Sequence, residues 1–297
     1  MKTIIMFPGQ GSQQPGMGAD LFDSFPTETA LANDILGYDV KPLCLAKENA
    51  ATLNQTQYTQ PLLFLVNALS NLKRKAETND RDTIFIGHSL GEYNALHASG
   101  VFSLEVGLKL VKARGLAMNQ AGTTANRPCG MLAVLGLTEE VIEDVLAKSN
   151  HLEHPVTPVT PVTIANLNAT EQIILSGEVA SLTALEEPLK KAGARKCIPL
   201  KVSGAFHSSY MQQALETMKD LFEKFTFNPP NHTVYANLTA QPYPQDEPSI
   251  KDILANQITH KVKWRETILN IKQTHPETKF IEVGPGNVLT NLLKRIS

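Results

Sequence analysis

The stretch FIGHSLGEYNAL (residues 85–96) places Ser89 between Gly87 and Gly91, in a G-x-S-x-G pattern just behind an apolar run. That run, TIFIG (83–87), is short, β-rich and uncharged, so it reads as a buried strand. EYNALHASG (92–100) reads as a helix stopped by Gly100. Strand, tight turn and helix in that order make a nucleophile elbow. A side chain two residues before or after the serine would collide with the backbone, and Gly87 and Gly91 supply that space. Such a turn lifts the Ser89 hydroxyl above the sheet edge. It also leaves the N–H of Leu90 at a helix N-terminus, where it can stabilise an oxyanion.

The neighbouring segments repeat the alternation. TIIMF (3–7) is a strand ended by Pro8-Gly9, and an apolar helix starts near Pro61 and ends near LKRKA (72–76). Ser103 caps the next helix, LEVGLKLVKARGLAMNQA (104–121). Strands alternating with helices predict an α/β fold with a mostly parallel sheet. The pattern then changes. GMLAVLGL (130–137), TEEVIEDVLAKS (138–149), VTIANLN (162–168), EQIILSG (171–177), ASLTALEEPLKKAG (180–193) and KCIPLKV (196–202) read strand, helix, strand, strand, helix, strand. That order is the ferredoxin-like unit. It predicts a small domain over residues 126–200, inserted between large-domain segments 1–125 and 201–297. PVTPVTPVT (155–163) is expected as an extended surface loop. The large domain resumes with the helix YMQQALETMKDLFEKF (210–225), a strand TVYANL (233–238) and the strand-turn-helix KFIEVGPGNVLTNLLKRI (279–296).

Composition removes several classes of function. With 297 residues, 42% hydrophobic and 19% charged, the chain is of ordinary globular make-up, and its net charge of −2 gives no footprint for nucleic acid. Cys44, Cys129 and Cys197 stand far apart without a C-x-x-C pair, which argues against a disulfide framework or a metal site. The longest apolar stretch, residues 61–69, is too short to span a membrane, and MKTIIMFPGQG lacks a signal-peptide layout. A cytoplasmic protein is expected.

A serine nucleophile needs a base. His88 is adjacent to Ser89, but neighbouring side chains diverge in an elbow, so His88 reads as packing. His207, in SGAFHSS (203–209), follows a strand in a turn of small residues and is the better candidate. A hydrolase triad would also need an acid between serine and histidine. The only aspartate there is Asp144, inside a helix, and the glutamates are likewise mostly on helices. No HGGG-type segment precedes the elbow. A Ser-His dyad oriented by a neutral group fits better than a lipase or esterase.

FPGQGSQ (7–13), GHSLGEY (87–93), RGLAM (114–118), GAFH (204–207) and EVGPGNVL (282–289), in this order, resemble the malonyl-CoA:acyl carrier protein transacylase family nearly end to end. DILGYDVKPLCL (34–45), TQYTQP (56–61) and VSGAFHSSYM (202–211) are most similar to the free-standing acyltransferases that serve trans-acyltransferase polyketide synthases. The resemblance implies an α/β-hydrolase-like large domain with the ferredoxin-like insert. It implies that Ser89 is acylated, that His207 is its base, and that a carbonyl of Gln257 orients the histidine in place of the triad acid. Gln10 and Leu90 would supply the oxyanion N–H groups. Arg114, which alone reads as a surface residue on an amphipathic helix, would grip the malonyl carboxylate, and Met118 would line the same pocket. Phe206 would crowd branched substrates, while Asn168 and Gln172 would face the cleft from the small domain.

Two places depart from the fatty-acid-type pattern: His260-Lys261 replaces asparagine-proline, and Ala169-Thr170-Glu171 replaces a proline-glycine. The implied substrates are malonyl-CoA, a coenzyme A thioester, and the phosphopantetheine thiol of a holo acyl carrier protein. No permanently bound cofactor or metal, no nucleic acid and no membrane are expected, and the protein is expected to be a monomer. Three alternatives remain open: a fatty-acid malonyl transacylase, an acyl hydrolase clearing stalled carrier proteins, and a non-catalytic docking domain using Lys190, Lys191, Arg195 and Lys196. Arg114 favours the transferase over the hydrolase.

Overall fold

The computed structural model describes residues 2–78, 82–123, 127–150 and 162–296. The repeat expected as a loop lies outside them as far as residue 161. Three strands, β1 (Lys2–Phe7), β2 (Thr83–Gly87) and β7 (Thr278–Glu282), form a parallel sheet in the order β2-β1-β7. Successive residues point to opposite faces, and both faces are covered. Ile5, Phe7 and Phe85 enter the main core, while Ile4, Met6, Ile84 and Ile86 pack on the other side against Trp264, Ile268 and Leu289.

The helices of this layer are α1 (Pro26–Leu36), α2 (Val40–Leu45), α3 (Ala50–Leu53), α4 (Thr56–Glu77), α5 (Gly91–Ala98) and α6 (Leu104–Thr123). Ser103 Oγ accepts from Val106 N at 3.2 Å, as the cap reading requires. Helix α4 begins five residues before Pro61, so the proline sits inside it rather than in its first turn. The polar run TQYTQ folds as helix because its side chains find buried partners. Thr59 Oγ1 donates to Leu53 O, and Gln10 Nε2 donates to Thr56 Oγ1.

Between these elements and the rest of the large unit lie β3 (Cys129–Leu135), α7 (Glu139–Asn150), β4 (Thr163–Ala169), β5 (Gln172–Glu178), α8 (Val179–Lys191) and β6 (Lys196–Pro199). Their sheet runs β4-β5-β3-β6 with antiparallel neighbours, the ferredoxin-like order. It has its own core, built from Leu132, Val134, Ile142, Leu175, Leu185 and their neighbours.

The chain closes with α9 (Gln212–Phe222), α10 (Glu247–Asn256), α11 (Trp264–Thr274), β7 and α12 (Val288–Leu293). TVYANL is not a strand. Val234 bridges Phe85, Tyr235 bridges Pro242, and the backbone then turns at Ala236–Ala240. The turn brings Asn237 behind the elbow.

Two contacts tie the small sheet to the large unit beside that point. Val262 N donates to Ala165 O at 2.8 Å while Leu167 N donates to Val262 O at 2.9 Å. Glu139 on α7 pairs with Lys261 at 2.6 Å and with Arg265 at 3.4 Å. Lys261, one of the departures from the fatty-acid-type pattern, therefore has a place in the joint between the two sheets.

Candidate active site

Ser89 sits at φ 51°, in the left-handed region that a serine adopts only where its surroundings impose it. The imposition is steric and polar. A Cβ on Gly87 would lie 1.9 Å from the Gly91 carbonyl carbon, and one on Gly91 would lie 2.0 Å from Phe7 O. Asn237 then staples the turn: its Oδ1 accepts from Ser89 N and its Nδ2 donates to Gly87 O, each at 2.7 Å. Sequence reading missed Asn237 because it lies in a run with strand character.

His207 meets Ser89 from the loop after β6. Its Nε2 lies 2.8 Å from Ser89 Oγ, and its Nδ1 lies 2.9 Å from the backbone oxygen of Gln257. A carbonyl only accepts, so Nδ1 carries the proton and Nε2 is left to accept from the serine. His207 is itself at φ 58°, in a loop pressed against α6 where a Cβ on Gly204 would come 2.8 Å from Gly122 Cα. Burial, with the positive Arg114 nearby, pushes the imidazole pKa down to about 3. The ring is neutral at pH 7 and able to take a proton. Among the described residues no carboxylate completes the dyad; the Gln257 backbone carbonyl does.

Arg114 is not a surface residue. It is 1% exposed, with its guanidinium carbon 5.3 Å from the centre of the Tyr93 ring. Its Nη1 donates to Gln60 Oε1 at 2.7 Å, and its Nη2 donates to Gln257 Oε1 at 2.9 Å and to Ser89 Oγ at 3.2 Å. Its Nε has no partner among the described residues, and no described carboxylate forms an ion pair with it. A buried cation without a counter-ion in contact is costly, and it marks a place where an anion binds favourably. The amphipathic reading failed because α6 is covered by α4, whose early start carries Gln60 up to the guanidinium.

The remaining expected residues divide. The N–H groups of Leu90 and Gln10 have no acceptor among the described residues, as oxyanion donors require. Met118 is buried, its Sδ 3.5 Å from Gln60 Nε2, and Phe206 is buried with its carbonyl accepting from Ser176 Oγ at 2.7 Å. Asn168 lies at a bulge of β4 and is taken by His88, Oδ1 to Nε2 at 2.7 Å, rather than left open.

Gln172 does not join the group. It pairs with Ala169 at the end of the hairpin, accepts from Arg295 at 2.8 Å, and lines a cavity of about 550 Å³ with Glu171 and Arg195. Glu92 and Tyr243 were also missed. Glu92 was visible inside the elbow motif, but an acid near a helix start ordinarily faces water.

Residues 4–296 match the acyl transferase domain family, and the chain belongs to it. It is 45% identical to the polyketide biosynthesis malonyl CoA-acyl carrier protein transacylase PksC of Bacillus subtilis, over 98% of this chain and 96% of that one. Among solved structures, the malonyl CoA-acyl carrier protein transacylase of Burkholderia pseudomallei is similar at TM-score 0.88 and 37% identity, covering 100% of this chain and 98% of that one. A malonyl-transacylase solved in complex with a type II polyketide synthase acyl-carrier protein is similar at TM-score 0.89 and 31% identity, covering 100% and 93%.

Proposed function

We propose that the protein transfers a malonyl group from malonyl-CoA, through an ester on Ser89, to the phosphopantetheine thiol of an acyl carrier protein. The observation that carries the reading is Arg114, buried, without a carboxylate in contact, and 3.2 Å from Ser89 Oγ. A substrate whose acyl group ends in a carboxylate supplies the missing anion. The Arg114 Nη2 N–H now on Ser89 Oγ turns to that carboxylate and, with the unpartnered Nε–H, holds it by two parallel hydrogen bonds.

In the first half-reaction His207 Nε2 takes the proton as Ser89 Oγ attacks the thioester carbon. The developing oxyanion is held by the N–H groups of Leu90 and Gln10, and the proton goes to the departing coenzyme A sulfur. In the second half the carrier thiol gives its proton to His207 and attacks the ester, and Ser89 recovers the proton. Serine, histidine and backbone donors suffice, so no resident cofactor is needed.

The relationship to PksC supports service to a polyketide synthase over fatty-acid synthesis. The solved complex of a similar malonyl-transacylase supports a carrier protein as partner. No described helix is long and apolar enough to cross a membrane, which fits work in the cytoplasm. We also place the domain boundaries near residues 126 and 200, around the separate core of the small sheet.

The test is intact mass after brief incubation with malonyl-CoA. The wild type gains one malonyl group and Ser89→Ala gains none; an unchanged wild-type mass overturns the reading.

A further inference from the structure

One buried charge beside Ser89 has no part in this cycle. Glu92, the second residue of α5, is fully buried. Its Oε1 accepts from the Tyr243 hydroxyl at 2.6 Å and from Asn237 N at 3.0 Å. Its Oε2 accepts from Gln257 Nε2 at 2.6 Å. The same Nε2 donates to Ser89 O at 2.8 Å, and Gln257 Oε1 accepts from Arg114. A side-chain amide has one donor end and one acceptor end. Two acceptors, Glu92 and the Ser89 carbonyl, fix the donor end, and the acceptor end is thereby turned to Arg114.

We propose that Glu92 is a positioning residue: through the Gln257 amide it holds the Arg114 guanidinium beside Ser89 without pairing with it. The inference rests on Arg114 as the partner of the substrate carboxylate. Glu92 and Arg114 attract each other across the amide. A direct ion pair would occupy the fork that the substrate needs. The interposed amide takes one Nη2 N–H and leaves the other, now on Ser89 Oγ, for the substrate. The acid missing from the dyad is thus present one shell away, and it serves substrate choice rather than the histidine.

Glu92→Gln tests this arrangement directly. The introduced amide cannot turn its NH2 toward Asn237 N, a fixed backbone donor, so the NH2 faces Gln257. Gln257 must then flip, setting its own NH2 against Arg114. Ser89 acylation by malonyl-CoA and by acetyl-CoA is measured in single turnovers. For Glu92→Gln, kcat/KM for malonyl-CoA falls about tenfold or more, mostly through KM, while acetyl-CoA loses less than about threefold.

Tyr243→Phe removes a bond from the other oxygen. It lowers Tm but keeps the malonyl-to-acetyl ratio within about twofold. Equal losses on both substrates in Glu92→Gln, or an equal shift of the ratio in Tyr243→Phe, overturn the proposal.

A second measurement needs no variant. Burial pushes Glu92 up to about 7, and its proton falls on Oε2, because Oε1 already accepts a fixed N–H. Protonation therefore repeats the donor conflict of Glu92→Gln. The other titratable groups packed near Glu92 are Tyr93, Tyr243, Arg114 and His207. Burial holds both phenols above their ordinary value, arginine stays charged, and His207 stays neutral. The wild-type malonyl-to-acetyl ratio rises at least about threefold from about pH 6 to about pH 8. A flat ratio overturns the proposal. A wild type that accepts no malonyl group at all fails the proposed function itself, which is seen before any ratio is taken.

Discussion

Replacing Arg114 with alanine separates substrate recognition from chemistry. A guanidinium has five N–H bonds. Two stay engaged, with Gln60 and Gln257, while the Nη2 N–H on Ser89 Oγ is released to the substrate and joins the unpartnered Nε–H to make two for a carboxylate. Each charge-assisted hydrogen bond is worth about 1.5–3 kcal/mol, so two are worth about 3–6 kcal/mol. At about 1.4 kcal/mol per decade this is a loss of roughly 10²–10⁴ in kcat/KM for malonyl-CoA. The side chain is 1% exposed, so little water remains to replace the lost bonds.

Acetyl-CoA has no carboxylate to lose, and its acylation falls by less than about threefold. Arg114→Lys keeps the charge without the fork and falls between wild type and alanine on malonyl-CoA. The assay is stopped-flow release of coenzyme A with each thioester, on variants whose Tm shows that they fold. Equal losses on the two substrates would refute the argument and make Arg114 a packing residue.

Three further residues carry testable outcomes. His207 has its pKa pushed to about 3 from the ordinary 6.5, so Ser89 acylation by acetyl-CoA, followed by release of coenzyme A, keeps its rate below pH 6.5 and loses it only toward the depressed value. In that window the unfolded chain binds a proton that the native one refuses. Wild type therefore loses stability relative to His207→Gln as pH falls from 6.5 toward 3, and keeps it above 6.5; parallel melting curves across that range would contradict this. Gly91→Ala puts a Cβ 2.0 Å from Phe7 O, so the expected result is loss of cooperative unfolding by circular dichroism. Phe206→Val opens the pocket beside His207 and improves the use of an acyl group branched at Cα by about tenfold, the effect of roughly 1–3 kcal/mol for a methyl-sized clash, scored by competition between the two thioesters.

Much of this site was legible in the chain because its chemistry is local. The elbow needs glycines at fixed offsets, and Gly87, Ser89 and Gly91 announce it. His207 follows a strand in a loop of small residues, and the small domain declares itself through alternating periods. What stayed hidden depends on the approach of distant segments. Pro61 was placed at a helix start, and with that shift Gln60 lost its reach toward Arg114. Asn237 lies where a strand pattern gives way to a turn, for reasons supplied by Glu92 and the elbow. Gln172 was set in the cleft with Asn168 by the family resemblance, but a bulge at Asn168 sends the two residues different ways.

In the proposed cycle Ser89 holds the malonyl group for a thiol rather than for water. Malonyl-enzyme, freed of excess malonyl-CoA, is divided between buffer and holo acyl carrier protein, and the Ser89 peptide is followed by mass. The ester is expected to survive in buffer and to disappear at once with the carrier protein, which gains the malonyl group. An ester lost at the same rate in both, with free malonate as the product, would contradict it.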